Sequence, residues 1–279
     1  MMDIVVLIAS IPRFESLITV SLPSVIAQTY QPNKIVLVTD KLALTEQELA
    51  AVKVVVAPFQ ITVLVNQRAQ GAAGAWNTGL TYIDQHFEDC YVAILDDDDY
   101  WHPNHLEKCI NHSKEGRADV VLSGISVVRD EKFVSANIPN NVQRSDFLVG
   151  NPGWQGSNTF CRLKLLKNVG GFSDGLVSSN DKDLAIRILA LPEVEMTYTQ
   201  AVTVAWSVGV HTSALSAKGS LQKLIGCAQF MALHGYLMDE NQKHQYFERV
   251  SSMFDITEQT ILNEINTNKD IRIVAGTFS

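Results

Sequence analysis

Short apolar runs alternate with longer stretches of helical spacing in the first part of the chain. The apolar runs lack polar alternation, which is typical of strands that are covered on both faces. Four of these predicted strands lie at 4–9, 34–38, 61–65 and 91–95. Helical spacing predicts three helices between them, at 15–29, 45–52 and 72–87. Because strands and helices alternate in this way, we expect βαβ units, an α/β fold and a mostly parallel central sheet.

The remainder of the chain is less regular. Two further strands are predicted at 120–128 and 196–204, and two further helices at 163–169 and 181–191. The stretch 137–158 is rich in glycine, proline and asparagine, and it is predicted to be a long loop of the kind that often carries function. Three helices of amphipathic period follow, at 220–237, 240–253 and 257–267. We therefore predict an α/β domain at 1–215 and a helical C-terminal segment at 216–279.

Composition indicates a globular protein with a substantial core. Hydrophobic residues make up 46% of the 279 residues and charged residues 19%, which excludes global disorder. The 22 basic and 30 acidic residues give a net charge of −8, so the chain lacks the basic surface of a non-specific nucleic-acid binder. No apolar run reaches the roughly 18 residues that a membrane span needs, and we expect no transmembrane segment.

Two features favour a cytoplasmic location. The apolar run at 4–8 follows Asp3 and lacks both a basic segment before it and a small-residue cleavage site, so it is interpreted as a strand and not as a signal peptide. The four cysteines are scattered without Cys-x-x-Cys spacing, which is typical of reduced thiols. We expect a cytoplasmic protein, and peripheral association with the inner face of the membrane is an open option.

Acidic and amide side chains mark the ends of three predicted strands. Asp40 and Asn66 each follow one strand, and the row from Asp96 to Asp99 follows another. Ligands of parallel α/β sheets bind beyond the carboxyl ends of the strands. The coincidence therefore predicts a binding site at that edge.

The row of four aspartates is the strongest single motif. Adjacent carboxylates repel one another and raise one another's pKa values unless a counter-charge is present. Mg²⁺ or Mn²⁺ would remove this penalty, because hard divalent cations select carboxylate oxygens, and a metal held by one or two side chains keeps positions open for substrate phosphates. The alternative is a solvated acidic loop or helix N-cap. An EF-hand is excluded, because its glycine and its final glutamate are absent.

The segment 95–103, which contains the row, resembles the Asp-x-Asp region of family 2 glycosyltransferases. Four more blocks resemble further parts of that family in the same order, at 13–40, 66–80, 170–187 and 210–216. The resemblance covers residues 4 to about 216. It implies a GT-A fold that binds a nucleotide-diphosphate sugar together with Mn²⁺ or Mg²⁺ and inverts the anomeric centre.

The resemblance also suggests roles for individual residues. Asp181 is our candidate for the base that deprotonates the acceptor, because a carboxylate at the start of a helix is stabilised by the helix dipole; the alternative is a simple N-cap. Asp98 is expected to bind the metal, and His211 is expected to be a further ligand of the metal or the diphosphate.

Asp40 is expected to accept a hydrogen bond from a base imide, as uracil offers, so UDP is the first expectation and other nucleotides stay open. Arg13 is expected to stack on or hydrogen-bond to the base. Asn66, Gln70 and Asp96 are expected to complete the nucleotide side, with Asp96 on the ribose or the metal.

A second set of residues is assigned to the acceptor or to orienting its neighbours. Trp154 is expected to stack on a sugar ring, and the other members of this set are Asp97, Asp99, Asn180 and Asp183.

The chain departs from the family pattern in three places. Asn180 stands where a glutamate is usual, Trp76 stands where an arginine is usual, and Lys41-Leu42 replace part of an Asp-Gly-Ser element. These departures concern the acceptor and the nucleotide base and leave the expected fold unchanged.

Three other functions stay open at this point. A retaining transferase shares the same metal motif, a nucleotidyltransferase shares the fold class, and a non-catalytic nucleotide- or glycan-binding module would need no base. The favoured function is transfer of a sugar to a hydroxyl of a glycan acceptor in bacterial surface glycan synthesis. A lipid-linked acceptor and a homodimer are open options, and no nucleic-acid partner is expected.

Overall fold

The computed structural model describes residues 2–11, 13–40, 42–130, 132–208, 218–268 and 271. Nine strands are found in this part of the chain. They are β1 (Asp3–Ser10), β2 (Lys34–Thr39), β3 (Ile61–Val65), β4 (Cys90–Asp96), β5 (Tyr100–Trp101), β6 (Val120–Arg129), β7 (Lys132–Asn137), β8 (Thr159–Arg162) and β9 (Met196–Ser207).

The helices of the same residues flank these strands. They are α1 (Phe14–Ser16), α2 (Leu22–Ile26), α3 (Glu46–Val56), α4 (Ala72–His86), α5 (His105–His112), α6 (Asp146–Val149), α7 (Leu163–Asn168), α8 (Asn180–Ile188), α9 (Leu221–His234), α10 (Glu240–Phe254) and α11 (Glu258–Thr267). A π-helical stretch, Leu17–Ser21, joins α1 to α2. Two 3-10 turns lie at Gly156–Asn158 and Gly235–Leu237.

The strands form one mixed sheet in the order β3-β2-β1-β4-β8-β6-β9-β5, with β7 paired to β6. β1 is parallel to β2 and β4, β2 is parallel to β3, and β6 is parallel to β9. β8 runs antiparallel to both β4 and β6, so those two strands point the same way. The predicted α/β fold with a mostly parallel sheet is therefore confirmed.

Elements with weak sequence signals were not predicted. β5 and β8 are only two and four residues long, and every residue of β7 is exposed, so none of them has a clear apolar period. The stretch 137–158, predicted as loop, contains α6 and ends with the 3-10 turn at Gly156–Asn158. The helix predicted at 15–29 ends at Ile26.

Both faces of the sheet are buried. Alternate residues of β1 point to opposite sides: Val5 and Leu7 belong to one core cluster, whereas Ile4, Val6 and Ile8 belong to the other. This arrangement explains the unbroken apolar run at the N-terminus, because a strand covered on both faces needs no polar alternation.

The C-terminal helices are part of the first of these clusters. Phe230 from α9 and Tyr246, Phe247 and Val250 from α10 are buried in it together with Leu7. The predicted boundary after residue 215 falls within 209–217, outside the described residues. Across the described helices, none combines the length and apolar character that crossing a bilayer requires.

Because α9 shares a core with the sheet, we expect Phe230→Ala to destabilise the whole chain. Loss of a fully buried phenylalanine costs about 3–5 kcal/mol. All four tryptophans precede α9, so their fluorescence reports on the α/β part during denaturant unfolding. The matched control is Tyr236→Ala, a 79% exposed aromatic after the same helix, which should change the free energy of unfolding by less than about 0.5 kcal/mol. An unchanged tryptophan transition in Phe230→Ala would contradict a shared core.

Candidate active site

Parallel pairing brings the predicted site residues to one edge of the sheet. Asp96 is level with Ala9, and Thr39 is level with both Ser10 and Val65. Asp40 and Asn66 directly follow β2 and β3, so they lie side by side. Their side chains are in contact, because Asn66 Nδ2 donates to Asp40 Oδ1 over 2.8 Å.

Asp40 is held through only one of its carboxylate oxygens. Oδ1 accepts hydrogen bonds from Asn66 Nδ2 and from the backbone N–H of Gly71, at 2.9 Å for the latter. Oδ2 is buried and has no hydrogen-bond partner among the described residues. The residue as a whole is 8% exposed. A buried acceptor without a partner is costly, so Oδ2 is an oxygen with which a ligand N–H or O–H could pair.

The loop between β3 and α4 shapes the space beside Asp40. The amide of Asn66 is fully engaged, since it also donates to the carbonyl of Ala69 and accepts from the N–H of Arg68 and the hydroxyl of Thr78. A Cβ at Gly74 would lie 1.9 Å from the Ala69 carbonyl oxygen, so the first turn of α4 can approach this loop only with glycine there. Gln70 is exposed.

The four aspartates that begin with the last residue of β4 do not form one cluster of free carboxylates. Asp97 turns towards β1, where its Oδ2 accepts from the Ser10 hydroxyl at 2.8 Å and the Ile11 N–H at 3.1 Å. Asp99 turns towards the 3-10 turn at Gly156–Asn158 and towards β9. Its two oxygens accept from the Ser157 hydroxyl at 2.6 Å and the Ser207 N–H at 2.9 Å.

Asp98 and Asp96 complete the row. The Asp98 carboxylate forms an ion pair with Arg13, whose Nη1 also reaches Asp97 Oδ1 at 3.4 Å. The Asp98 side chain is 22% exposed, more than that of Asp97. Asp96 lies against the 3-10 turn, because a Cβ at Gly156 would be 3.2 Å from both of its carboxylate oxygens.

Burial and mutual repulsion together control the acidity of the row. Burial, followed by the charge of Asp98, raises the pKa of Asp99 to about 8 and that of Asp97 to about 6, although both carboxylates accept hydrogen bonds. Burial and then the neighbouring carboxylates raise the pKa of Asp96 well above its ordinary value. The structure therefore relieves the repulsion predicted from sequence partly with protein donors.

These positions limit the kind of metal site that can form. No group of three or more His, Cys, Asp or Glu side chains among the described residues is arranged to hold an ion. Asp97 and Asp99 already accept hydrogen bonds from protein donors. Asp98 is the more exposed carboxylate, and a metal there would share it with Arg13 or displace that guanidinium. One or two carboxylates with substrate phosphates are a common donor set for Mg²⁺ or Mn²⁺, so the residues fit a site completed by substrate. His211, the other predicted ligand, lies outside the described residues.

Asp181 lies in the first turn of α8. Its Oδ2 accepts from Asn151 Nδ2 at 2.8 Å, and its Oδ1 accepts from the Lys182 N–H at 2.9 Å. The charge of Asp181 raises the pKa of Asp96, which indicates that the two carboxylates lie at the same edge of the sheet. Burial raises the pKa of Asp181, against the opposing effects of the Lys182 amide and the charges of Lys182 and Lys223. A carboxylate with a raised pKa is a better proton acceptor than an ordinary aspartate.

Asp183, two residues further on, has the opposite character. Its oxygens accept hydrogen bonds from Ser173, Arg187 and His234, with His234 Nε2 at 2.9 Å from Oδ1. Burial alone would raise its pKa, but the bonds from His234 and Arg187 outweigh burial and lower it. This carboxylate ties α8 to α9.

Two further predicted residues lie in buried surroundings. Trp154 is completely buried and its Nε1 donates to Thr159 at 2.9 Å, so neither ring face is open to a sugar, and the expected stacking role does not fit its position. Instead, its backbone N–H and carbonyl bind Asn151, the residue that contacts Asp181. Asn180 is also buried, and its Oδ1 has no partner among the described residues.

Helix α9 supports the segment that leads to Asp181. Gln229 accepts from the Val177 N–H and donates to the Gly175 carbonyl, both at 2.9 Å. A Cβ at Gly226 would lie 2.1 Å from Ser178 Oγ, so the helix and the segment are in direct contact. Ser179, next in the chain, has a left-handed backbone with φ of 66°.

Sequence reasoning missed several of these supporting residues. Asn151, Ser157 and Gln229 are polar residues of ordinary type, and no spacing marks them as partners of the carboxylates. The glycine- and asparagine-rich composition of 137–158 was the one available signal for Asn151.

Comparison with known proteins identifies relatives of this chain. The family model described as "Glycosyl transferase family 2" matches residues 5–173. A curated Escherichia coli protein, named UDP-Glc:alpha-D-GlcNAc-diphosphoundecaprenol beta-1,3-glucosyltransferase WfgD, is 31% identical over 120 residues. That alignment covers 43% of this chain and 45% of the relative, so less than half the relative's length is matched.

Solved structures of S. aureus TarS have a similar fold. TarS 1–349 in complex with UDP-GlcNAc gives a TM-score of 0.65 at 18% identity, covering 96% of this chain and 76% of the other. TarS 1–349 in another crystal structure gives 0.61 at 16% identity, covering 95% and 90%. At these identities the likeness concerns the fold, and it confirms the GT-A architecture that the sequence resemblance implied. The helical C-terminal segment predicted from the amphipathic period is present as α9, α10 and α11.

The bracing by α9 gives a testable expectation for Gln229→Leu. The substitution removes two hydrogen bonds at a buried position and leaves the Val177 N–H and the Gly175 carbonyl unpaired, which should lower the free energy of unfolding by about 2 kcal/mol or more. Amide exchange at Val177 should also accelerate, as measured by hydrogen exchange. Gln259→Leu, the same change at an exposed site on α11, should cost less than about 0.5 kcal/mol. Equal effects of the two variants would contradict the bracing role.

Proposed function

Because the chain belongs to glycosyltransferase family 2, we propose that this site transfers the sugar of a UDP-sugar donor to a hydroxyl of a glycan acceptor. The transfer inverts the anomeric centre. The observation that carries the proposal is the arrangement of three unlike carboxylates at one sheet edge. Asp40 keeps a buried oxygen unpaired, Asp98 is partly exposed, and Asp181 has a raised pKa. These states suit binding of a base, a metal and an acceptor hydroxyl, respectively.

Asp40 recognises the nucleotide in this proposal. Its unpaired Oδ2 would accept the imide N–H of uracil, while Asn66 and the Gly71 N–H fix the carboxylate through the other oxygen. Cytosine and adenine offer no imide N–H, so they could reach Oδ2 only through an exocyclic amino group. Gln70, exposed in the loop before α4, and Asp96, which lies level with Ala9 on the neighbouring strand β4, complete the nucleotide side.

Arg13 has a different proposed role from the one expected. Its guanidinium is paired with Asp97 and Asp98, so we assign it to holding the row and not to stacking on the base. Asp97 and Asp99 then act as anchors, since their donors come from β1, the 3-10 turn and β9. These contacts fix the row relative to β1, the 3-10 turn and β9.

A divalent ion, Mn²⁺ or Mg²⁺, would be held by Asp98 together with the donor phosphates, and the chemistry it supplies when bound is neutralisation of the departing diphosphate. His211 remains a predicted further ligand. The protein's own contribution at this end of the site is a partly exposed carboxylate that Arg13 holds in place.

Asp181 removes the proton from the acceptor hydroxyl in this scheme. As the proton passes to the carboxylate, the acceptor oxygen forms a bond to the anomeric carbon, the bond from that carbon to the phosphate oxygen breaks, and its electron pair leaves with UDP. A single displacement inverts the anomeric centre. Asn151 holds the carboxylate at Oδ2 so that it keeps one orientation.

The acceptor and the place of the reaction follow by inference from the relative. The name of the Escherichia coli relative states a lipid-linked acceptor, GlcNAc-diphosphoundecaprenol. We therefore include lipid-linked glycans among the acceptors of this chain, with the reaction on the cytoplasmic face of the membrane in bacterial surface glycan synthesis. A homodimer stays a prediction.

Nucleotide binding can be tested by thermal shift with UDP, GDP, CDP and ADP, each with and without Mn²⁺. We expect UDP with Mn²⁺ to raise the midpoint most, because a ligand at 100 times its Kd stabilises the folded state by about 2.7 kcal/mol. Asp98→Asn should abolish the Mn²⁺-dependent part of the shift. Asp3→Asn, the same change at the opposite end of β1, should retain it. A UDP shift that is equal with and without Mn²⁺ would count against the metal, and a larger shift with another nucleotide would count against Asp40 as a uracil acceptor.

Asp181→Asn should abolish transfer while UDP affinity stays within a few-fold. Loss of a general base costs roughly 10²–10⁴ in rate, measured as UDP release in the presence of acceptor. Since the carboxyl must be ionised, kcat/KM of the wild-type protein should fall as pH decreases, with an apparent pKa above that of an ordinary aspartate.

Asp183→Asn provides the contrast to Asp181→Asn. It weakens buried hydrogen bonds to charged partners and should lower the free energy of unfolding by ~2 kcal/mol. Asp181→Asn removes a buried charge and should leave stability unchanged or higher. Wild-type turnover in Asp181→Asn would disprove its assignment as the base.

A further inference from the structure

Three cationic side chains from three helices lie around Asp181. Lys182 is next to it on α8, and Lys223 on α9 acts electrostatically on both Asp181 and Lys182. Arg249 on α10 acts on Lys182 as well. The guanidinium carbon of Arg249 is 3.9 Å from the position that a Cβ of Gly150 would take, one residue before Asn151. We call Lys182, Lys223 and Arg249 the cationic cluster.

The cationic cluster carries more positive charge than the single carboxylate of Asp181 compensates. Within the part of the chain that the structure describes, none of its three members forms an ion pair at 4.0 Å or less with a carboxylate. The ammonium groups lie over aromatic rings instead, Lys182 at 3.9 Å from the centre of Phe230 and Lys223 at 4.3 Å from the centre of Phe254. Aromatic faces stabilise cations but leave their charge available to an anion.

Holding these charges together has a cost. Burial, followed by repulsion from Lys223 and Arg249 and against the attraction of Asp181, lowers the pKa of Lys182 to about 7. Asp181 supplies one negative charge beside Lys182 and Lys223, so three cations face a single candidate base. The remaining counter-charge is therefore expected from a ligand.

The ligand's position in the reaction follows from the elements that carry the cluster. The nucleotide side is built from β1, β2, β3 and β4, whereas the cluster stands on α8, α9 and α10, beside the candidate base. An anion bound there belongs to the molecule that Asp181 deprotonates.

We propose that Lys182, Lys223 and Arg249 bind a phosphate or diphosphate group carried by the acceptor, so that the acceptor class is a phosphate-linked sugar. This inference rests on the proposed function, and it adds the residues that would hold the phosphate of the acceptor. The phosphate takes no part in bond making: the acceptor hydroxyl is the nucleophile, and the bound phosphate orients it towards Asp181. A guanidinium and two ammonium groups match phosphate oxygens in charge and in hydrogen-bond donors.

The test uses the full-length chain saturated with UDP and Mg²⁺, so that the nucleotide side is filled. N-acetylglucosamine 1-phosphate, N-acetylglucosamine and inorganic pyrophosphate are then titrated separately by calorimetry. We expect the sugar phosphate to bind at least tenfold more tightly than the neutral sugar and to weaken as salt is added. Binding of pyrophosphate alone would assign the site to the phosphate group, and binding of the sugar phosphate alone would assign it to the phosphate and sugar together; both support the proposal.

Two double variants with the same change in charge separate the cluster from general electrostatics. Lys223→Gln/Arg249→Gln should lower affinity for the sugar phosphate at least tenfold and leave affinity for the neutral sugar unchanged. The control, Lys218→Gln/Lys243→Gln, neutralises two cations of the same helical region outside the cluster and should have no such effect. Lys223→Arg/Arg249→Lys should restore most of the affinity.

Failure of this inference can be distinguished from failure of the proposed function. UDP affinity is measured first for each protein, and no binding of UDP to the wild type would contradict the proposed function itself. Normal UDP binding without preference for the sugar phosphate would overturn only the phosphate site. An equal loss for both sugars in Lys223→Gln/Arg249→Gln would also overturn it, because that result indicates an effect on Asp181 alone.

Discussion

The crowding of four consecutive carboxylates at the end of β4, two of them buried, is the constraint on which this edge of the sheet depends. A buried carboxylate without hydrogen-bond donors is costly, so the row must find partners. β1 supplies Ser10 and the Ile11 N–H to Asp97, while the 3-10 turn and β9 supply Ser157 and Ser207 to Asp99. These donors are far apart in sequence. The row is thus the joint at which the first strand, the last strand and the loop near the candidate base meet.

The carboxylates differ in the hydrogen-bond donors that they receive. This difference distinguishes supporting residues from candidate functional residues. Asp97 and Asp99 accept hydrogen bonds from distant elements and fix the edge, whereas Asp40 has a buried oxygen with no partner among the described residues. The same contrast recurs on α8. Asp183 receives charged donors that lower its pKa, whereas Asp181 receives neutral donors from Asn151 and the Lys182 N–H and has a raised pKa. Two aspartates on one helical turn are therefore adapted to different tasks, which residue type alone does not reveal.

The sequence was informative wherever a pattern repeats. Continuous apolar runs predicted β1 to β4, and the polar residues at their ends predicted the edge where Asp40 and Asn66 meet. It was uninformative where a partner comes from a distant element: the Ser157 and Gln229 contacts depend on tertiary packing, and β5 and β8 are too short to show a period. Trp154 illustrates the limit in the other direction, since residue type suggested a sugar platform and packing made it a buried support.

The family match ends at residue 173, before α8, so it divides the two sides of the proposed site. The nucleotide side lies within the matched residues, on strands that determine its geometry. The candidate base and the cationic cluster lie beyond them, on α8 to α10, and Gln229 and His234 of α9 tie these helices to the segment around Asp181. A change at a contact residue of α9 such as Gln229 therefore acts first on the segment that carries Asp181. In the proposed function, the sheet binds the donor and the helices packed against the same core select the acceptor.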